Sequence, residues 1–195
     1  MLTLRKSFIL LVLFLIVVPG LAHEHTLLSS VDPVILTIDG IVAKPQSLTA
    51  SDLAKLPRRT IETKAPDGTV IKYEGPLLAD VLATAGVVFG PDLKGPLLAN
   101  YVVVTGGDKF RVVFALPELD ASFTDRLIIL ADKRDGQPLS AAEGPLRSIV
   151  ADEKRQSRWV KQVVTLTVMS APMPNPNKLI NKKAPRAARL ARARS

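Results

Sequence analysis

Few residues in this chain are able to do metal or nucleophilic chemistry. Its 195 residues include no cysteine, which excludes disulfides, thiolate metal sites and cysteine nucleophiles. The only histidines are His23 and His25. In a mature chain that begins at His23, the free amine, the deprotonated amides and the His25 imidazole could chelate copper or nickel in a square plane. The alternative is a solvated leader that holds no metal.

Arginine side chains provide a second kind of chemistry. Arg147 follows the turn Gly144-Pro145-Leu146, and Arg158 precedes Trp159, the only tryptophan. A guanidinium presents several donors in a planar fork that suits phosphate and carboxylate groups. Gly144 lacks a side chain and would let a ligand approach the backbone closely. In the alternative interpretation, the glycine is an ordinary turn residue, the two arginines are exposed charges at strand edges, and Trp159 belongs to the core.

The elements that must position these residues indicate one α+β domain, long enough to bury a sizeable core. A helix should begin after Thr49, which with Asp52 forms a close relative of a capping box. A second helix should begin at Gly75-Pro76 and end at Gly86. Apolar alternation and turn residues predict strands at 34–40, 59–64, 69–73, 101–105, 110–115, 126–131 and 163–168, a short strand after Pro145, and one helical turn at 116–120.

Residues 1–22 have the pattern of a secretory signal. Arg5 and Lys6 precede an apolar run from Phe8 to Val18, and small residues favour cleavage after Ala22. A membrane span needs about 20 apolar residues, more than this run provides. We therefore expect a cleaved signal and a periplasmic or secreted protein, with an uncleaved anchor as the alternative.

The end of the chain differs from its body. Residues 23–171 are the predicted domain, and 172–195 are a Pro-rich linker followed by a basic tail. The net charge of +8 is misleading, because all 18 acidic residues lie between 23 and 177 and leave this part close to neutral. The tail could bind an anionic membrane surface or a protein partner, or simply keep the chain soluble. An exported protein is not expected to meet nucleic acid.

Three blocks in the second half of the chain carry a family resemblance. They are Gly136-x-Pro138-Leu139, Gly144-Pro145-Leu146-Arg147-x-Ile149-Val150 and Arg158-Trp159-Val160, with weaker blocks at 36–45, 73–77 and 110–120. In this order they resemble the oxidoreductase molybdopterin-binding domain of the sulfite-oxidase type, from about residue 35 onward. The resemblance implies the sulfite-oxidase-type fold, with mixed short strands and a few short helices, and molybdopterin as the cofactor.

The resemblance also implies where a cofactor would lie. The residues it assigns to the cofactor are Arg147, Arg158, Gly144 and Arg111. It places a molybdenum-ligating cysteine at about Lys64 or Ala65, where this chain has none, and the family's cofactor-contacting histidines are missing from the body. Because the protein sets the ligands and electronics of a cofactor metal, the resemblance implies the fold without the ordinary catalytic apparatus.

Three functions follow from the sequence. The first is a non-catalytic module that binds a small anionic ligand or a periplasmic protein partner in the old cofactor cleft. The second is a molybdopterin-dependent oxidoreductase whose metal is ligated without cysteine, and the third is a copper- or nickel-binding protein built on His23 and His25. The first is preferred because cofactor-loaded proteins of this kind usually leave the cytoplasm folded by the twin-arginine route. Lys6 stands where that route needs a second arginine, which favours export as an unfolded chain.

Overall fold

The computed structural model describes residues 32–65 and 67–172. The predicted signal, His23, His25 and the tail from residue 173 lie outside these residues. The strands are β1 (Val34–Gly40), β2 (Gln46–Thr49), β3 (Arg58–Lys64), β4 (Val70–Pro76), β5 (Asn100–Gly106), β6 (Arg111–Ala115), β7 (Ile128–Ala131), β8 (Lys133–Arg134), β9 (Gln137–Pro138), β10 (Arg147–Val150) and β11 (Val163–Ser170). The α-helices are α1 (Ala50–Ala54) and α2 (Leu78–Ala83), and 3₁₀ turns occur at Gly90–Asp92, Gly95–Ala99, Leu116–Leu119 and Gln156–Arg158.

A five-stranded sheet forms one layer of the core, in the order β2-β1-β11-β5-β6. β1 runs parallel to β11, and the other neighbours are antiparallel. Since successive side chains in a strand point to opposite faces, every second residue is buried. The fully buried side chains of this inner face include Leu36, Ile38, Val102, Val104, Phe114 and Leu166.

The second layer holds the residues of the family blocks. It consists of a four-stranded sheet, β3-β4-β8-β9, and the pair β7-β10. All four residues of β7 and all four of β10 are buried, including Arg147. A side chain at Gly75 would collide with the carbonyl of Leu130, so a glycine is what lets β4 lie against β7. This packing brings Tyr73 of β4 and Arg147 of β10 together.

The structure confirms the α+β class and most predicted elements. Thr49 caps α1, with its hydroxyl accepting from the Asp52 N–H at 3.2 Å and its own N–H donating to the Asp52 carboxylate at 3.1 Å. The seventh predicted strand continues two residues further than expected, to Ser170. The strand predicted from Arg126 begins only at Ile128, because the Arg126 N–H donates to the Thr124 hydroxyl at 3.1 Å instead of joining the ladder. Within the described ranges, no helix has the length and apolarity needed to cross a membrane.

Candidate functional site

Arg147 lies inside the domain, between two aromatic rings. Its guanidinium carbon is 5.5 Å from the ring centroid of Tyr73 and 5.5 Å from that of Trp159. The two rings meet edge to face, with their centroids 5.8 Å apart. Cation–π contact of this kind is attractive, more so where water is excluded. The interpretation of Arg147 as an exposed strand-edge charge is wrong, since only 7% of its side chain is exposed, whereas the assignment of Trp159 to the core is confirmed.

The charge of Arg147 is neutralised by an acid from the turn before β10. Nη1 of Arg147 donates to the Tyr73 hydroxyl at 3.1 Å and forms a close ion pair with Glu143. The other Glu143 oxygen faces Arg134 at 3.6 Å, and Arg134 in turn lies 3.6 Å from Asp135. We call Tyr73, Arg134, Glu143, Arg147 and Trp159 the Arg147 cluster. With Asp135 included, the two guanidinium groups of Arg134 and Arg147 face the two carboxylates of Asp135 and Glu143.

Two donors in the Arg147 cluster have no acceptor. Nε of Arg147 and Nε1 of Trp159 are both buried and make no hydrogen bond within the described part of the chain. A buried donor without a partner costs free energy and calls for an explanation such as an enclosed water molecule. A ligand oxygen could serve the same two donors, but both are sealed from solvent by the surrounding side chains.

Arg158 belongs to a separate group of charges. Its guanidinium lies over the Phe114 ring, 4.6 Å from the centroid, pairs closely with Glu153, and is 3.5 Å from Glu118. Arg126 shares this carboxylate of Glu118 at 2.9 Å and also pairs with Asp152 at 3.0 Å. We call Glu118, Arg126, Asp152, Glu153 and Arg158 the Arg158 cluster. Here three carboxylates face two guanidiniums, so the local charge does not favour an anion.

The backbone explains why the two arginines point to different clusters. The Ser148 hydroxyl donates to the Arg158 carbonyl at 3.0 Å and accepts from the Val160 N–H at 2.8 Å. This clamp holds the segment before Trp159 against β10. Arg147 and Arg158 share no partner in the described residues, so the structure does not bring them together as one anion site.

The other two predicted cofactor residues belong to neither cluster. Gly144 is buried, and a Cβ there would meet Leu139 Cβ at 3.0 Å and the Ser140 carbonyl oxygen at 3.3 Å. Its missing side chain therefore accommodates the chain's own backbone rather than opening a path to a ligand. Arg111 is exposed at the start of β6, the edge strand of the five-stranded sheet, opposite Thr105.

A polar cavity of about 290 Å³ lies where the resemblance places the metal ligand. It is lined by Glu62, Thr63, Lys64, Val70 and Ala151. Lys64 is the last residue of β3, and the Ala65 N–H donates to the Thr69 carbonyl at 2.8 Å across the hairpin. A protonated lysine has no lone pair for a metal, and an alanine side chain has no donor atom.

A second cavity lies beside the Pro-Leu segments of the family blocks. It has a volume of about 330 Å³ and lies between residues of β1 and α1 on one side and Pro138, Leu139, Pro145 and Leu146 on the other. Asp132 and Lys133 are the charged residues of its lining. This cavity is largely apolar and separate from both arginine clusters.

Comparison with known proteins places the chain in a family. The family model for the oxidoreductase molybdopterin binding domain matches residues 25–177. The chain belongs to this family. A search of the curated proteins finds no match.

Solved structures show the same fold. The sulfane dehydrogenase SoxCD from Paracoccus pantotrophus matches with a TM-score of 0.53 and 21% identity, over 70% of this chain and 38% of that one. The chain thus spans well under half of the SoxCD chain that it matches, and the likeness concerns the fold alone. The sulfite-oxidase-type molybdopterin-binding fold predicted from the sequence is confirmed.

The side chains of this family member do not fit a molybdenum ligated by a protein thiolate. The chain has no cysteine, and its described residues contain no group of three or more His, Asp or Glu side chains placed to hold a metal. Arg147 and Arg158 are already paired with carboxylates, and Arg111 is exposed at the edge of the sheet. The two unpartnered donors of the Arg147 cluster argue for a further bound group.

The sequence analysis identified Arg147 and Trp159 of the Arg147 cluster but not Tyr73, Arg134 or Glu143. Glu143 directly precedes the Gly-Pro-Leu-Arg block, and an acid at this position was the available signal. Tyr73 lies 74 residues before Arg147 and comes from another strand, so no local pattern connects the two.

Proposed function

We propose that this chain is an exported, non-catalytic binding module built on the molybdopterin-binding fold. The observation that carries the proposal is the pairing of two of the three candidate cofactor arginines, Arg147 and Arg158, with the chain's own carboxylates. Arg147 pairs with Glu143, and Arg158 with Glu153 and Glu118. The domain would then bind a small anionic ligand or a protein partner, away from these two ion-paired arginines, instead of a redox cofactor.

The phosphate of the cofactor would meet a carboxylate at Arg147. A phosphate that approached Arg147 would also approach Glu143, whose carboxylate is only 14% exposed and lies against the same guanidinium. Like charges at hydrogen-bonding distance repel strongly where water is largely excluded. Binding would therefore require the loss of an existing buried pair, and it would leave Glu143 without its counter-ion.

The chain lacks the thiolate ligand that would set the electronic properties of the molybdenum. In this family the cofactor supplies molybdenum redox chemistry when bound, and the protein's share is to ligate and tune the metal. Here the position beside the polar cavity holds Lys64 and Ala65, and no other residue of the chain offers a thiolate. No catalytic step is assigned to any residue on this basis.

Export is the third part of the proposal. The sequence of residues 1–22 supports it, and secretion of an unfolded chain would separate the domain from cytoplasmic cofactor insertion. The basic tail, 172–195, would then face the periplasm, where an anionic membrane surface or a protein partner is available.

A second candidate is a molybdopterin-dependent oxidoreductase with a ligand other than cysteine. Family membership and the two unpartnered donors, Arg147 Nε and Trp159 Nε1, favour it. These two groups could donate hydrogen bonds to a cofactor oxygen if the cluster opened.

Reconstitution separates the two candidates. The purified protein would be mixed anaerobically with molybdenum cofactor released from a donor enzyme and then passed through a desalting column. A cofactor-free member of the family with its cysteine serves as the positive control. The proposal expects pterin to remain with the control and not with this chain, whereas near-stoichiometric retention would establish the second candidate instead.

A further inference from the structure

The apolar cavity of about 330 Å³ is assembled from distant parts of the chain. Ile35 and Leu53 come from β1 and α1, and Leu139, Pro145 and Leu146 come from two of the family blocks. Small-molecule sites have volumes of roughly 300 to 1,000 Å³ and walls that are mostly apolar with a few polar groups. The cavity lies at the lower end of this range and fits a small ligand.

The walls of the cavity are held in place without a ligand. Leu53 and Leu146 are fully buried beneath the cavity, and the capping box of Thr49 and Asp52 fixes the start of α1. Asp132 receives both terminal nitrogens of Arg58 and, through its carbonyl, the Leu139 N–H at 3.1 Å. A preformed site of this kind loses little ordering free energy on binding.

One charged side chain at the cavity forms no ion pair within the described residues. Because Arg58 holds both oxygens of Asp132, this carboxylate is already neutralised. Lys133 also lines the cavity, is exposed, and forms no ion pair with any carboxylate in the described ranges. Its cross-strand neighbour is Glu74, which does not reach it. One ammonium group therefore stands beside an apolar cavity.

We propose that this cavity binds a small carboxylate with an aliphatic or aromatic body, the body lying against Ile35, Pro138 and Leu139 and the carboxylate facing Lys133. The inference rests on the proposed binding function and names its ligand class. It moves the site from the arginine clusters, whose charges are matched internally, to the apolar side of the Pro-Leu turns.

Calorimetric titration of the full mature chain with octanoate, and with octanol as the uncharged counterpart, tests the inference. Wild-type protein should bind octanoate saturably and octanol more weakly. Lys133→Gln should weaken octanoate binding about two- to fivefold, as expected for loss of an exposed ion pair, and leave octanol binding unchanged. Lys161→Gln, another exposed lysine, is the charge control and should change neither.

A plug at the mouth tests the location. Ala50 is exposed and lines the cavity, whereas Ala54 is exposed on the same helix and does not. Ala50→Trp should abolish octanoate binding, and Ala54→Trp should preserve it. Absence of wild-type binding, equal binding of octanol, or binding that survives Ala50→Trp would overturn the inference. These outcomes are independent of cofactor retention, so failure here is distinguishable from failure of the proposed function.

Discussion

Glu143 and Arg147 form a buried ion pair across the turn that introduces β10. The pair places an acid against the arginine that would otherwise be available to a cofactor phosphate. It also connects the β4 and β8 strands, through Tyr73 and Arg134, to the Trp159 segment. The same contact leaves neither charge unpaired inside the domain.

Removing the acid should destabilise the domain strongly. Glu143→Gln leaves the charge of Arg147 buried and unpaired, so we expect the free energy of unfolding to fall by about 3–5 kcal/mol. Urea unfolding at pH 7 measures it. Glu62→Gln removes an exposed pair with Lys72 and should cost less than about 1 kcal/mol. Equal effects of the two substitutions would show that the Glu143 pair is not buried in solution.

The phenol of Tyr73 should titrate late. Burial raises the pKa of Tyr73 and outweighs the opposing effect of the Arg147 charge. The folded state therefore favours the protonated phenol, and the free energy of unfolding should fall as pH rises above about 10, where the unfolded chain releases this proton. The chain has two tyrosines, so phenolate absorbance of Tyr101→Phe reports Tyr73 alone. A midpoint at or below the ordinary tyrosine value contradicts the arrangement.

Asp120 should make the domain sensitive to acid. Burial alone would raise its pKa, but hydrogen bonds from the Ser122 N–H and hydroxyl at 2.8 and 2.7 Å, and from the Gly90 N–H, lower the pKa overall. The charged form is thus favoured in the folded state, and its stabilising effect is present above about pH 4 and lost as pH falls below that value. Urea midpoints of wild type and Asp120→Asn between pH 6 and 3 should converge on acidification. A constant difference would exclude this carboxylate as the titrating group.

The mature chain should begin at His23. Residues 1–22 carry the features of a cleaved signal, with small residues before the cut at Ala22. Intact mass of the protein from the periplasmic fraction of its own host checks this, and copper titration before and after acetylation of the new amine checks the metal site at His23 and His25. Recovery of the whole chain with its first 22 residues would contradict export with cleavage.

The elements that the sequence predicts correctly are mostly those set by local patterns of residues. The alternation at 34–40 and the Thr49–Asp52 capping box each involve residues only a few positions apart in the sequence, and the structure shows both. The strand Gln46–Thr49 has little apolar alternation and forms because β1 offers it a partner. The role of Arg147 was not predictable for a similar reason: its exposure and its partners depend on Gly75 letting β4 approach β7.

Part of the candidate site was predictable from the sequence, and part of it was not. The family blocks identified the residues around Gly144 and Arg147, since they are contiguous in the sequence. The cavity between α1 and the Pro-Leu turns was not predicted, because its walls come from residues about 100 positions apart, and apolar residues at turns look like ordinary packing.

We expect this member of the molybdopterin-binding family not to carry the cofactor. The most direct measurement is the molybdenum and pterin content of the folded protein purified from its own periplasm, by metal mass spectrometry and fluorescence of the oxidised pterin. We expect neither at more than trace levels, in a protein that unfolds cooperatively. Stoichiometric molybdenum with pterin would contradict the claim and show that a ligand other than cysteine holds the metal.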